Sequence, residues 1–175
     1  MHTHQTILAS VGFIVIGSQS AESLLKVLVT YVIQDGKPLT YDRIMKLDAA
    51  HRKRTLGFFI GEMQKRASFD PSIGDTLERF LESRNKLVHH FSDIPGHDLS
   101  TEADLAAVGA FLDQLARDLQ TVLVFCAALL HAWSEQTGIA KGTIETHFPE
   151  DLQVVLEKIK TMSSEMNALI FGREK

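Results

Sequence analysis

The chain has 175 residues, 45% of them hydrophobic and 23% charged, with a formal net charge of −4. That length fits one domain over residues 1–175, and the apolar content can fill a core, which excludes disordered, collagenous and fibrous classes. An acidic average also excludes a broadly basic nucleic-acid coat.

Apolar residues recur at helical spacing almost everywhere, and no segment alternates with period two. The expected fold is therefore all-α, an up-and-down bundle of about five helices including one long helix. The first helix is expected over residues 6–33, bent near Gly17-Ser18 and stopped by the turn signal Asp35-Gly36-Lys37-Pro38. Ile7–Ile16 is apolar enough for a signal-peptide core, but no Lys or Arg precedes it and apolar residues resume at Leu24. Gln19, Glu22 and Lys26 interrupt the run before the roughly 20 residues that a membrane span needs. A buried core helix in a cytoplasmic protein, with no membrane partner, is the expectation.

A short helix is expected over 41–47 and a longer one over 48–67, with Leu56, Phe59, Ile60 and Met63 on one face. This region is the basic part of an otherwise acidic chain. Residues 37–66 hold eight Lys/Arg against three Asp/Glu, whereas residues 67–175 hold nine against seventeen. His51-Arg52-Lys53-Arg54, with Lys65 and Arg66, could position an RNA backbone, the alternative being a solvated helix face.

Ser68-Phe69-Asp70-Pro71-Ser72 breaks the helical pattern, and a third helix follows over 73–91. The loop 92–100 ends it. The longest helix starts at the capping signal Ser100-Thr101-Glu102-Ala103-Asp104 and runs to about Gly138, roughly 55 Å at 1.5 Å per residue. Such a helix needs partners along its length, within a bundle or across a dimer. A last helix is expected over 150–169, after Pro149. Cys126, the single cysteine, sits in the apolar run 122–130, where a thiol acts as a small core hydrophobe in a reducing compartment. No zinc-ligand spacing and no phosphate-binding Gly-rich loop occurs, so neither metal nor cofactor is expected.

The informative stretch is Leu77-Glu78-Arg79-Phe80-Leu81-Glu82-Ser83-Arg84-Asn85-Lys86-Leu87-Val88-His89-His90-Phe91. On a helix at about 100° per residue, Arg84 falls in the middle of an apolar stripe of Leu77, Phe80, Leu81, Leu87, Val88 and Phe91. A charge there is costly unless it is paired or faces a partner. Asn85 and His89, four apart, are neighbours on the flank, and His90 falls on the opposite side. A guanidinium suits a phosphate, an imidazole moves protons near neutral pH, and an amide orients either. The competing structural reading pairs Arg84 with a buried carboxylate and lets His89 cap the helix carboxyl end.

Arg84-Asn85-Lys86-Leu87-Val88-His89 resembles the motif of the HEPN family, an Arg and a His separated by four to six residues, often with a polar residue after the Arg. The likeness extends over most of the chain as architecture, with the motif late in an amphipathic helix. It implies a metal-independent endoribonuclease leaving 2′,3′-cyclic phosphate ends, a toxin or defence effector, or else a non-catalytic module that binds RNA or nucleotide or scaffolds a partner protein. Arg84 and His89 would be the catalytic pair, Asn85 their polar support, and two copies would face one cleft in a homodimer. Arg52, Lys53, Arg54 and His90 would touch RNA. An antitoxin protein is a further implied partner. In one toxin subgroup a Tyr two residues after the His accepts adenylate; Phe91 stands there in this chain and lacks the hydroxyl.

Overall fold

The structure, a computed structural model, describes residues 2–33, 37, 40–67, 69–138 and 161. Among them every regular element is helical, as the periodicity demands. The elements are α1 (His4–Val27), α2 (Tyr41–His51), α3 (Leu56–Arg66), α4 (Pro71–His89) and α5 (Glu102–Thr137). A π-helical turn, Leu28–Val32, continues α1, and a 3-10 turn, Phe91–Asp93, follows α4.

Local chemistry sets the helix starts. Extended Thr40 precedes α2, and its hydroxyl accepts the Arg43 backbone N–H at 3.4 Å. Pro71 opens α4, where its missing N–H costs nothing. Thr101 and Asp104 close a reciprocal box before α5. The Thr101 backbone N–H donates to Asp104 Oδ2 at 3.0 Å, and the Asp104 N–H donates to Thr101 Oγ1 at 3.1 Å. The Thr101 hydroxyl, which donates to Asp104 Oδ2 at 2.8 Å, and then the Thr101 backbone N–H hold the Asp104 carboxyl below the usual carboxylate range. The 36 residues of α5 run about 54 Å.

Two expectations can be set beside the helices. First, α1 stays helical through Gly17-Ser18, where Gly17 serves close packing: a Cβ there would lie 2.6 Å from Leu119 Cδ2. The irregularity comes later, where the Ile33 N–H donates to Leu28 O at 2.8 Å, five residues back. Second, the long helix expected over 48–67 is two helices joined by Arg52-Lys53-Arg54-Thr55. Neither Gly nor Pro announces that break. Extended Thr55 turns the chain so that Phe58 and Phe59 of α3 close on His51, with ring centroids 5.6 and 5.7 Å away. The turn expected at 35–38, Lys37 apart, and the helix expected over 150–169, Thr161 apart, lie outside the described residues.

The chain groups into two compact units, and α1 and α5 contribute to both. Met1–Glu22 and Pro71–Val122 form the first, with Ile7, Ile14, Leu77, Phe80, Ile94, Val108, Leu112 and Leu115 among its buried side chains. Ser23–Asp70 and Leu123–Lys175 form the second, where Leu28, Leu56, Phe59, Ile60, Met63, Phe125 and Leu129 are buried and Phe69 meets Phe125 edge-on. Two segments, His4–Val32 and Glu102–Thr137, are long and apolar enough to cross a membrane by length and composition. The most apolar stretch is 56% buried in the second but only 22% in the first.

Candidate functional site

The α4 helix of the first unit carries two arginines with different fates. Arg79 takes the one buried carboxylate of this unit: its Nε donates to Asp118 Oδ2 at 2.9 Å and its Nη2 to Asp118 Oδ1 at 2.7 Å. Gln114 Nε2 adds a third bond to Oδ1 at 2.9 Å. Asp118 is 3% exposed, so three donors replace the water it gave up. This pair went unread in the sequence, although an Asp between Leu115, Leu119 and Val122 is itself a sign of a buried acid awaiting a cation.

Arg84 has no such partner. Its Nη1 donates to Asn85 Oδ1 at 3.2 Å, while its Nε is buried without a hydrogen bond. Among the described residues it makes no ion pair. The apolar stripe is also narrower than the wheel suggests. Leu77, Phe80 and Leu87 are buried, but Val88 is 41% exposed, which puts Arg84 at the border of the buried face. An unsatisfied guanidinium nitrogen beside bare apolar surface is an expensive arrangement to keep for stability alone.

Asn85 is half-buried, and its amide fixes one arm of Arg84. His89 is the last residue of α4 and exposed, with no hydrogen bond on its ring among the described residues. His90 is also exposed, and the two imidazole centroids are 6.4 Å apart at 68°. The structure thus joins Arg84 to Asn85 directly and leaves His89 one turn beyond Asn85, open to solvent.

The basic tract lies in the second unit and is sorted by the break between α2 and α3. Arg52, Lys53 and Arg54, with Ala49 and Ala50, line an open depression of about 360 Å³. Arg52 is paired with Asp48 at 3.1 Å, the Arg54 guanidinium stands 4.8 Å over the Phe58 ring, and Lys53 makes no ion pair among the described residues. His51 does not belong with them. It is 4% exposed, and its Nδ1 meets Thr30 Oγ1 at 2.9 Å. Burial first, then the charges of Arg66 and Lys26, hold its imidazole below the ordinary value.

Arg66 is corrected too, while Lys65 beside it keeps an exposed side chain. Both pair with Glu62, at 2.7 and 3.0 Å respectively, and Arg66 Nη1 donates to Val29 O and Ile33 O. Arg66 therefore caps the carbonyls that the π-helical turn leaves open, and its side chain is not offered to a polyanion.

Cys126 is buried, which pushes its thiol up to about 12, and the thiolate needed for nucleophilic work is out of reach. Among the described residues no three His, Cys, Asp or Glu side chains converge on a metal position. Comparison of the chain with protein-family models, curated proteins and solved structures found no match.

Proposed function

We propose that this chain is a metal-independent endoribonuclease of the HEPN type, a toxin or defence effector acting as a homodimer with Arg84, Asn85 and His89 at its composite site. One observation carries the reading. The buried carboxylate that would make Arg84 structural belongs to Arg79, which among the described residues leaves the Arg84 guanidinium tethered only to Asn85. Arg79 is the arginine of the fold; Arg84 is free to serve a phosphate.

The chemistry needs nothing further in kind. The substrate 2′-hydroxyl gives its proton to an imidazole and attacks the adjacent phosphorus; the 5′-oxygen leaves with a proton from a second imidazole. Two copies of His89 supply both roles, each worth about 10²–10⁴-fold. Arg84 binds the non-bridging oxygens, where negative charge grows in the transition state. Arg52, Lys53 and Arg54 hold the RNA backbone by charge alone.

The unanchored ring of His89 supports a second reading, a non-catalytic module that binds RNA or nucleotide, because a general base is usually oriented by a third group. Cleavage assays on purified protein separate the two. The nuclease cuts RNA in EDTA, leaves 2′,3′-cyclic phosphate and 5′-hydroxyl ends, spares DNA, and dies with Arg84→Ala or His89→Ala while RNA is still bound. Binding without cleavage establishes the second reading, and loss of activity in EDTA or hydrolysis of all-deoxy substrate overturns the mechanism.

A further inference from the structure

Charge explains the hold of Arg52, Lys53 and Arg54 on a backbone, but not the way their loop is built. Both arginines are pinned from within the second unit. Arg52 Nη2 lies 3.1 Å from Asp48 Oδ2, and the same carboxylate holds Lys26 at 3.2 Å. The Arg54 guanidinium stands 4.8 Å over the Phe58 ring, while the Arg54 backbone N–H donates to His51 O at 3.1 Å. Phe58 is fixed in turn by Phe59 and His51, with ring centroids 5.4 and 5.6 Å away. His51 and Phe59 are buried, Phe58 is half-buried and Arg54 is exposed. The stack therefore rises from the core and ends on a guanidinium that meets water.

A guanidinium is planar, weakly hydrated, and stacks on aromatic faces. Phe58 takes one side of Arg54, and the solvent side is left for a second ring. Ala49 and Ala50 line the same depression, and their short side chains leave its volume of about 360 Å³ clear. That volume lies within the roughly 300–1,000 Å³ of small-ligand sites. Lys53 makes no ion pair among the described residues, so its ammonium is available to an anion. A flat ring and an anion side by side are the two parts of a nucleotide.

We propose that this depression is a base-binding subsite, in which an unstacked nucleobase of an RNA strand lies on the outer side of Arg54 and its phosphate meets Lys53. The subsite rests on the reading of the chain as an RNA-directed protein, and it adds a contact to the ring where charge reaches only the backbone. Every base has a π-face, so the stack accepts any unpaired base without selecting sequence. The walls are set before RNA arrives, by Asp48 on Arg52 and by Phe58 on Arg54, which lowers the entropy lost on binding. An acidic protein segment fits less well. A carboxylate takes a guanidinium by its N–H edge, and that contact uses neither Phe58 nor the alanines.

Two single strands of equal charge, titrated onto the full chain, test the subsite. One is a 2′-O-methyl RNA of about eight nucleotides, which has no 2′-hydroxyl to cleave; the other is the same backbone built from abasic units. The wild type prefers the base-bearing strand by at least about fivefold. Arg54→Lys keeps the charge and loses the plane, so it removes the preference and leaves the salt slope as it was. Phe58→Leu removes the preference as well, and where that variant melts low the exposed Arg54→Lys decides. Equal binding of both strands by the wild type overturns the proposal, as does an Arg54→Lys protein that keeps the preference. Tighter binding of poly-glutamate than of the base-bearing strand, at equal charge, also overturns it and assigns the depression to an acidic protein. Preference for bases in a protein that cuts no RNA supports the subsite and defeats the nuclease reading. Equal binding in a protein that does cut RNA defeats the subsite alone.

Discussion

Replacing Arg79 and Arg84 one at a time by Met, which keeps much of each stem's packing, separates the two arginines by sign. Arg79→Met strips two of three donors from a carboxylate that is 3% exposed, leaving it Gln114 alone. Removing one partner of a buried pair costs about 3–5 kcal/mol. Because the Arg79 side chain is itself half exposed, water reaches the vacated site, and screening puts the loss near the lower end, about 3 kcal/mol. For a chain of this size that lowers the melting temperature by roughly 6–12 °C. Arg84→Met loses one hydrogen bond to Asn85, worth about 1 kcal/mol, and removes a buried unsatisfied nitrogen whose cost is about 1–3 kcal/mol. The net is neutral to stabilising, with the melting temperature unchanged or up by a few degrees, while RNA cleavage is lost. Thermal melts by circular dichroism read both variants. An Arg84→Met protein destabilised as much as Arg79→Met would show that Arg84 belongs to the core, and the functional reading would lose its support.

His51 is held neutral in the fold, whereas the unfolded chain titrates near 6.5. Its contribution is therefore full above about pH 6.5 and is lost as the pH falls toward the lower folded value; melting temperatures between pH 7 and 5 should drop in the wild type and flatten in His51→Gln. Lys53→Glu with Arg54→Glu spares the Asp48–Arg52 pair and should weaken RNA binding and its salt dependence, by about 0.7 of a log unit in slope per lost phosphate contact; an unchanged slope in salt titrations would return the loop to plain solvated surface. Gly96 has φ +78, and a Cβ there would come within 2.8 Å of the Asp104 Cα. Gly96→Ala should therefore cost about 1–3 kcal/mol, seen as an earlier urea midpoint with the same slope.

The helices with long apolar repeats were readable in the sequence because burial imposes their period: α4 lies within two residues at each end of the expected helix, and α5 begins at its capping box. The break at Arg52–Thr55 was not readable, since charged residues serve a helix and a loop equally and the cause sits elsewhere, in His51 meeting Thr30 across the second unit. For the site, Arg84 and Asn85 were found as a charge and an amide on an apolar stripe. That Arg79 would claim the buried acid instead depends on which side of α4 meets Asp118, and a wheel drawn on one helix contains no such information. The same wheel overstated Val88, which periodicity treats like Leu87 but which solvent reaches.

The π-helical turn at Leu28–Val32 has one more consequence, which concerns phase. A bond five residues back in place of four is what remains when one extra residue is accommodated in an α-helix. The last turn is therefore wound more widely than the α-helix before it, and a heptad frame laid on residues 4–27 does not carry through to Val32. The extra residue is also what lets Thr30 face His51 while Val29 O and Ile33 O both face Arg66. Deleting one residue between 28 and 32 would restore the regular helix and swing one of these groups away from its partner. In this segment the chain's length, not only its side chains, is information.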